Sequence, residues 1–224
     1  MRVGVIYHCE QTTGRLDASL DAASAETVRF YLHRGDQVPV HESFDRVVSL
    51  GGEMGAYEDD LHQWMGVEKA WLARLVNEDV PVLGVCLGSQ LLADALGGAA
   101  YRSARAEADV IELELTHEGA ADPLLNSVGK QVFSLHQDTF DLPPDATLLA
   151  RSNLYPQAFL LGSAIAVQFH PDADLDLAKG WGKEDGSLLP AAGIDYDTYC
   201  QHLEEADAVL DSKSRAFFAE WLRA

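Results

Sequence analysis

Residues 80–98, "VPVLGVCLGSQLLADALGG", are the part of this sequence that most restricts how the chain can fold. Residues 80–86 form a mostly apolar run that is typical of a strand buried on both faces. The residues from Ser89 onward have helical spacing and end in Gly97 and Gly98, and glycines commonly close a helix. Almost no loop separates the two, so the strand must lead directly into the helix. Such a unit favours a parallel sheet covered by helices.

The rest of the first half repeats this alternation of short apolar runs and helical patterns. We therefore expect an α/β fold with a mostly parallel central sheet. The predicted strands of this half are 2–8, 46–52 and 80–86, and the predicted helices are 20–35, 61–78 and 89–98.

The pattern changes from about residue 110, where strands with one polar face follow each other between turn residues. This indicates a β-rich second half with hairpins, followed by an irregular connection over 172–195 and a helical tail over 195–224. We see no repeat and no linker, so we expect one domain over 1–224. The strands predicted here are 109–116, 130–136, 146–152, 156–162 and 164–170.

Charge and composition exclude several classes of protein. The chain has 36 acidic and 16 basic side chains, a net charge of −20, which disfavours binding to nucleic acid or to an anionic membrane surface. No apolar run approaches the roughly 18 residues of a membrane helix, and the start lacks a secretion signal. Three cysteines without a CxxC pair indicate neither a disulfide framework nor a zinc site. We expect a cytoplasmic protein without metal or cofactor.

Cys86 stands at the corner between the strand and the helix, framed by Gly84 and Gly88. This G-x-C-x-G frame matches the nucleophile elbow, in which a sharp turn exposes the reactive side chain at the carboxyl edge of the sheet. The helix N-terminus favours a thiolate, and the backbone N–H of Leu87 would face a developing oxyanion. The alternative is a small cysteine that only packs in a tight turn.

A cysteine nucleophile needs a base, and two of the eight histidines end strand patterns with informative neighbours. One is His136. The other is His170, where Pro171 ends the strand and Asp172 supplies a nearby carboxylate. A base oriented by a carboxylate is the arrangement of a catalytic triad. His8 also ends a strand, but nothing in the sequence specifies a role for it.

Four segments together carry a resemblance to a known family. The sequence resembles the class I glutamine amidotransferases of the Cys-His-Glu type, and among them the stand-alone relatives of the glutaminase domain of GMP synthase. The resemblance implies a flavodoxin-like, three-layer α/β sandwich. The segments are 80–98, "SLGGEMGAYEDD" (49–60), "SLHQDTFDLPPDATLLARSNLYPQAF" (134–159) and "AVQFHPD" (166–172).

The resemblance implies a cysteine-based hydrolysis of the glutamine side-chain amide. Cys86 would attack the amide carbon, His170 would protonate the departing ammonia and then activate water, and Asp172 would orient His170. The oxyanion would meet the backbone N–H groups of Leu87 and Gly52. A γ-glutamyl thioester would be the intermediate.

The same resemblance implies how the substrate is held and where the ammonia goes. Gln90 would contact the amino-acid end of glutamine, and the segment of His136 and Asp138 would close over it. Ammonia would pass to a separate synthetase or acceptor, because the sequence has no G-x-x-x-x-G-K-[ST] loop for ATP.

Three positions depart from the family pattern. Asp172 replaces the usual Glu, with Asp174 as an alternative; Gln137 replaces a small Gly; and Glu53 replaces a frequent Pro. These departures leave two other interpretations open. One is a γ-glutamyl hydrolase that acts on another γ-glutamyl amide, and the other is a non-catalytic member that binds a ligand or a partner.

Overall fold

The computed structural model describes residues 1–10, 14–184 and 186–223. In that part of the chain, no helix is long and apolar enough to cross a membrane. The strands are β1 (Arg2–Tyr7), β2 (Glu26–Tyr31), β3 (Arg46–Ser49), β4 (Val82–Val85), β5 (Ala99–Glu112), β6 (Glu114–Leu115), β7 (Gln131–Asp141), β8 (Thr147–Arg151), β9 (Pro156–Leu161) and β10 (Ala164–Val167). The helices are α1 (Gly14–Ala22), α2 (Gln63–Asn77), α3 (Leu87–Ala95), α4 (His117–Ala121), α5 (Pro123–Val128), α6 (Leu175–Glu184), α7 (Leu188–Ala192) and α8 (Tyr196–Trp221), with a 3₁₀ turn at Leu32–Arg34.

Eight strands form the central sheet, in the order β2-β1-β3-β4-β10-β9-β8-β6. Strands β2, β1, β3, β4 and β10 are parallel to one another, and β9, β8 and β6 continue the sheet from β10 in antiparallel pairs. Strands β5 and β7 form a separate antiparallel ribbon. This confirms the predicted mixed α/β fold, with a mostly parallel centre and a β-rich second half.

Helices cover both faces of the sheet because the side chains of β1 alternate between two apolar cores. Val5 points into the core that contains Phe217 of α8, and Ile6 points into the core that contains Trp71 of α2. A third apolar cluster lies between the β5–β7 ribbon and the helices α6, α7 and α8. The parallel strands β1, β3, β4 and β10 are therefore buried on both faces, whereas the edge strand β2 is partly exposed. The carboxyl ends of the parallel strands meet at one edge of the sheet.

The helix predicted over residues 20–35 is wrong. The structure ends α1 at Ala22 and places β2 over Glu26–Tyr31. Ser24 adopts a positive φ of 52°, which breaks the helix, and the β-branched and aromatic residues that follow pair in parallel with β1. The alternating pattern of β2 was the better signal.

The irregular connection predicted over 172–195 is also wrong, since α6 and α7 occupy most of it. Tertiary packing explains these short helices. The Tyr199 hydroxyl of α8 donates a hydrogen bond to the carbonyl of Ala178, at 2.6 Å, and Gly182 lies directly against the Tyr199 ring. Contacts distant in sequence thus stabilise helices whose glycines and prolines argue against them locally.

Helix α2 confirms the predicted helix over 61–78, but its buried face differs in detail. Leu61 and Val67, two apolar residues of the predicted helix, are 74% and 50% exposed, and Leu61 precedes the first residue of α2. The buried face instead includes a carboxylate, Glu68, which is fully inaccessible to solvent. A charged group in that position needs partners, and they lie beside the candidate site.

Candidate active site

Cys86 occupies the corner between β4 and α3 in a conformation that L-residues rarely adopt. Its φ is 51° and its ψ is −109°. The two flanking glycines allow this corner, because a side chain at either would collide with backbone. A Cβ on Gly84 would lie 2.5 Å from the carbonyl oxygen of Gly88, and one on Gly88 would lie 2.0 Å from that of Ser49.

His170 follows β10 and reaches the same corner. Its Nδ1 donates a hydrogen bond to Oδ1 of Asp172, at 3.1 Å. A Cβ built on Gly51 would lie 3.0 Å from Cε1 of His170 and 3.5 Å from Cβ of Cys86, so both side chains border this glycine. Burial alone would lower the pKa of His170, but the charges of Cys86 and Asp172, and hydrogen bonds to both, raise it to about 10. The structure therefore brings together thiol, imidazole and carboxylate.

Asp172, rather than the alternative Asp174, is the carboxylate beside His170. Asp172 is fully buried, and among the described residues its Oδ2 has no hydrogen-bond partner. Its backbone carbonyl accepts from the N–H of Arg15, at 3.1 Å. Asp174 is occupied elsewhere, because its Oδ1 accepts from the N–H of Leu177 and so caps α6.

Aromatic rings enclose His170. The Phe133 ring lies 5.9 Å from the imidazole and the Trp181 ring of α6 lies 4.9 Å from it, centroid to centroid. Only 6% of the surface of His170 is exposed. These rings restrict water near the imidazole and strengthen its interaction with the charges beside it.

Strand β7 runs along the whole site and contacts each part of it through backbone carbonyls. The carbonyl of Phe133 accepts from the N–H of His170, at 2.8 Å. The carbonyl of Leu135 lies 4.0 Å from Sγ of Cys86. The carbonyl of Asp138 accepts from Nε2 of Gln90, at 3.1 Å. The segment predicted to close over a substrate thus lies above the nucleophile.

Gln90 is 2% exposed and points into the protein. Besides the Asp138 carbonyl, its Nε2 donates to Oε1 of Gln168 at 3.2 Å. These bonds tie α3 to β7 and to the strand that carries His170. In this structure the amide of Gln90 fixes the relative position of three elements around Cys86.

His136 is buried, and both of its ring nitrogens form hydrogen bonds with protein atoms. Nδ1 lies 2.7 Å from the carbonyl of Asp138, and Nε2 lies 3.2 Å from Oε2 of Glu107. Oε2 of Glu107 also accepts from Nε2 of Gln157, at 2.6 Å, and from Oγ of Ser134, at 3.3 Å. Burial would raise the pKa of Glu107, yet hydrogen bonding to His136 and its charge hold that pKa below its ordinary value. His136 therefore holds the backbone of β7 in place at Asp138.

The two residues predicted to supply the oxyanion donors, Gly52 and Leu87, pack against each other. A Cβ built on Gly52 would be 2.8 Å from Cδ2 of Leu87. Within residues 1–10, 14–184 and 186–223, neither backbone N–H has a hydrogen-bond partner. Two backbone donors are thus available at the Cys86 corner.

The other two cysteines differ from Cys86. Burial, followed by the charges of Glu53, Cys86 and Asp172, raises the pKa of Cys9 to about 12, so its thiol stays protonated near neutral pH. Cys200 lies on α8. Over the described part of the chain, no group of three or more His, Cys, Asp or Glu side chains is arranged to hold a metal ion.

A thiol at a strand–helix corner, beside a histidine paired with a carboxylate, agrees with the family indicated by the sequence. A family model described as glutamine amidotransferase class-I matches residues 7–180. The chain belongs to this family. The match includes the Cys86 corner, the β7 segment and the His170 segment.

Solved structures of amidotransferases share the fold over nearly the whole chain. A glutamine amidotransferase from Thermotoga maritima is 27% identical, with a TM-score of 0.86, and the alignment covers 100% of this chain and 99% of that one. A glutamine amidotransferase from Methylobacillus flagellatus is 25% identical, with a TM-score of 0.84, covering 99% and 93%. By sequence, one of the subunits of the glutamine-hydrolyzing GMP synthase of Saccharolobus solfataricus is 30% identical over 180 residues, or 77% of this chain and 89% of that protein.

Sequence reasoning missed three side chains of this amidotransferase site. Trp181 lies in a segment predicted to be irregular, although Leu175, Ala178 and Trp181 have helical spacing. Glu107 precedes the first strand predicted for the second half. Glu68 left the clearest signal, because it is a charge on the apolar face of a predicted amphipathic helix.

Proposed function

We propose that this chain hydrolyses the side-chain amide of glutamine and passes the ammonia to a separate enzyme. The observation that carries the proposal is the Cys86 corner, where a strained backbone presents a thiol to an imidazole whose pKa is raised to about 10. Asp172 binds Nδ1 of that imidazole, which leaves Nε2 to serve the thiol and the substrate. Membership in the amidotransferase family supports glutamine as the substrate.

In the first half of the reaction, the Cys86 thiolate attacks the amide carbon of glutamine. The carbonyl oxygen becomes an oxyanion and accepts hydrogen bonds from the backbone N–H groups of Leu87 and Gly52. The His170 imidazolium gives its Nε2 proton to the amide nitrogen. The C–N bond then breaks, ammonia leaves, and a γ-glutamyl thioester remains.

In the second half, His170 is neutral and acts as a general base. It takes a proton from water, and the resulting hydroxide attacks the thioester carbon. The C–S bond breaks, glutamate leaves, and the Cys86 thiolate is restored beside a protonated His170. Asp172 stabilises the imidazolium in both halves and fixes the tautomer in between.

The amino-acid end of glutamine is proposed to lie under the Asp138 segment. Gln90 and His136 both bind the carbonyl of Asp138, so this part of β7 is fixed before substrate arrives. The partly exposed Asp138 carboxylate has the charge that an α-ammonium group requires. The Tyr57 hydroxyl lies beside the same carboxylate, and burial, the charge of Asp138 and a hydrogen bond to it raise the pKa of Tyr57.

The acceptor of the ammonia is proposed to be a separate polypeptide. The relative from Saccharolobus solfataricus is described as one subunit of a glutamine-hydrolyzing synthase, and it matches this chain over 89% of its own length. That similarity supports a division of labour in which this chain supplies ammonia and another polypeptide consumes it.

The test is release of ammonia from glutamine by the purified chain, alone and with candidate synthetase subunits. We expect glutamate and ammonia in equal amounts, labelling of Cys86 by a glutamine-like electrophile, and loss of both in Cys86→Ser. Cys200→Ser is the matched control and should keep the activity. Absence of ammonia release under every condition, together with absence of labelling, would refute the proposal. Faster release of an amine from another γ-glutamyl amide would instead identify a γ-glutamyl hydrolase.

A further inference from the structure

A third buried histidine, His8, lies at the end of β1 and has no part in the reaction described above. Its Nδ1 lies 3.0 Å from the carbonyl oxygen of Leu50 and 3.3 Å from that of Gly51. Its Nε2 lies 2.9 and 3.1 Å from the two carboxylate oxygens of Glu68. Both side chains are fully buried. Burying a histidine and a carboxylate together costs desolvation free energy, so a functional role is expected for this pair at the edge of the candidate active site.

The partners of His8 require a proton on each ring nitrogen. Carbonyl oxygens only accept hydrogen bonds, and so do ionised carboxylates, so both nitrogens must donate. Burial would lower the pKa of His8, but the charge of Glu68, and hydrogen bonds to it and to the two carbonyls, raise it. Oγ of Ser49 donates to Glu68 at 2.8 Å, and the Trp64 ring stacks on His8 at 5.2 Å. The imidazolium is thus held in one orientation.

The carbonyl that His8 binds most closely also binds the helix that follows the nucleophile. The oxygen of Leu50 accepts from the N–H of Gly88, at 3.0 Å, in addition to Nδ1 of His8. This one oxygen therefore connects the end of β1, the turn after β3 and the first turn of α3. A shift of His8 would be transmitted to both sides of the oxyanion site.

The second carbonyl that His8 binds determines where one oxyanion donor points. The carbonyl of Gly51 and the N–H of Gly52 belong to the same trans peptide, so they point in opposite directions. With the oxygen held on the side of His8, the N–H of Gly52 faces away from it. Gly52 is packed between the two sides, since a Cβ there would lie 2.9 Å from Cβ of His8 and 2.8 Å from Cδ2 of Leu87.

We propose that His8 and Glu68 are positioning residues that orient the Gly51–Gly52 peptide, so that the N–H of Gly52 serves the oxyanion formed at Cys86. The inference rests on the proposed cysteine chemistry, though not on glutamine as the substrate. A hydrogen bond from a cation to the Gly51 oxygen also polarises that peptide and makes its N–H a stronger donor. Glu68 keeps His8 charged and in place.

The test compares two reactions of Cys86 that differ only in their need for an oxyanion. Acylation by p-nitrophenyl acetate passes through a tetrahedral oxyanion, whereas alkylation by iodoacetamide displaces iodide and forms none. Two variants separate the halves of the His8 ring. In His8→Gln the side-chain amide nitrogen takes the place of Nε2, so the contact with Glu68 is kept and the hydrogen bonds to the carbonyls of Leu50 and Gly51 are lost. In His8→Asn with Glu68→Gln it takes the place of Nδ1, and no unpaired carboxylate remains.

We expect His8→Gln to slow acylation of Cys86 by about 10-fold to 100-fold and to leave alkylation within about twofold. The loss is smaller than the roughly 10²-fold to 10³-fold of a deleted oxyanion donor, because the N–H of Gly52 is misplaced rather than removed. The His8→Asn, Glu68→Gln variant should recover most of the acylation rate. His202→Gln, which removes another histidine–carboxylate pair, between His202 of α8 and Asp109 of β5, should change neither reaction. Each rate is read at Cys86 by mass spectrometry of the labelled peptide.

Three outcomes would overturn the inference: equal losses in acylation and alkylation, no loss in His8→Gln, or no acylation of the unmodified protein. The experiment also separates this inference from the proposed function. If glutamine is not hydrolysed but the acylation rates follow the expected order, the substrate is wrong and the positioning role stands. If glutamine is hydrolysed and His8→Gln keeps both its kcat and its acylation rate, the proposed function stands and the positioning role of His8 is wrong.

Discussion

His170 and His8 both border the Gly51–Gly52 turn, and each is buried against one carboxylate. In the His170 pair, Asp172 takes only Nδ1, and the ring faces the Cys86 thiol. In the His8 pair, Glu68 takes Nε2 and two backbone carbonyls take Nδ1. The first pair can exchange a proton with a substrate, whereas the second has no nitrogen left for one.

The comparison teaches that a carboxylate beside a buried histidine does not by itself identify a base. The deciding feature is whether one ring nitrogen is left without a fixed acceptor. By that criterion His136 belongs with His8, since the Asp138 carbonyl and Glu107 occupy its two nitrogens. One of three similar pairs is therefore expected to do chemistry, and the other two are expected to hold backbone in place.

Replacing His170 should have the largest effect. In His170→Gln we expect the kcat/KM for glutamine to fall by about 10⁴-fold or more, because both the proton donor for ammonia and the base for water are lost. His202→Gln is the matched control, since it removes a histidine paired with Asp109 far along the chain. Steady-state ammonia release measures both. A His170→Gln enzyme within tenfold of the unmodified protein would contradict the assignment of the base.

The next largest effect should come from Asp172→Asn, with a loss of about 10²-fold to 10⁴-fold in kcat. The charge of Asp172 helps to raise the pKa of His170 to about 10, so activity should decline as pH rises through that value. Removing the charge lowers the pKa of His170, and the alkaline decline should move to lower pH.

Asp172→Glu tests the same position while keeping the negative charge that Asp172→Asn removes. The added methylene restores the residue that is usual in the family, and we expect activity within about tenfold of the unmodified protein, with the alkaline limb unchanged. The pH dependence of kcat/KM for all three proteins provides the measurement. An alkaline limb that stays in place in Asp172→Asn would show that this carboxylate does not act on His170.

The amino-acid sequence is enough to predict the group of Cys86, His170 and Asp172, because the signals for these residues lie close to them along the chain. Gly84 and Gly88 frame Cys86, and Pro171 stands between His170 and Asp172, although β10 itself ends earlier, at Val167. Each of these signals lies within two residues of the group that it concerns. The same holds for the strands around them, where a short apolar run between glycines or prolines is enough to predict a buried strand.

The sequence could not predict the pairs His8–Glu68 and His136–Glu107, because each pair joins residues that are distant along the chain. His8 and Glu68 are 60 residues apart, and their meeting depends on β1 lying beside β3 under α2. Glu107 and His136 meet only through the register of the β5–β7 ribbon. Trp181 reaches His170 because α6 packs against α8. A pattern with a period of two or 3.6 residues contains no information on such contacts.

A smaller effect on activity, but a clear effect on stability, is expected for His136. His136→Leu removes one hydrogen-bond partner of the buried Glu107 carboxylate, which should lower the free energy of unfolding by about 1 to 3 kcal/mol. Urea denaturation at neutral pH measures this. The double variant His136→Leu, Glu107→Leu should be less destabilised than the single one, because no unpaired charge remains. A fall in kcat as large as that of His170→Gln would place His136 in the chemistry instead.

The smallest effect separates the two aspartates that follow His170. Asp174 caps α6 through the N–H of Leu177, so Asp174→Ala should cost about 1 kcal/mol of stability, the usual effect of a lost N-cap, and leave kcat within twofold. Thermal unfolding and ammonia release measure the two quantities in the same preparation. Asp172→Asn and Asp174→Ala should then differ by orders of magnitude in their effect on kcat, although the two carboxylates are only two residues apart. If instead Asp174→Ala reduces kcat as strongly and shifts the alkaline limb, the orienting carboxylate is Asp174, and the contacts of His170 during catalysis differ from those in this structure.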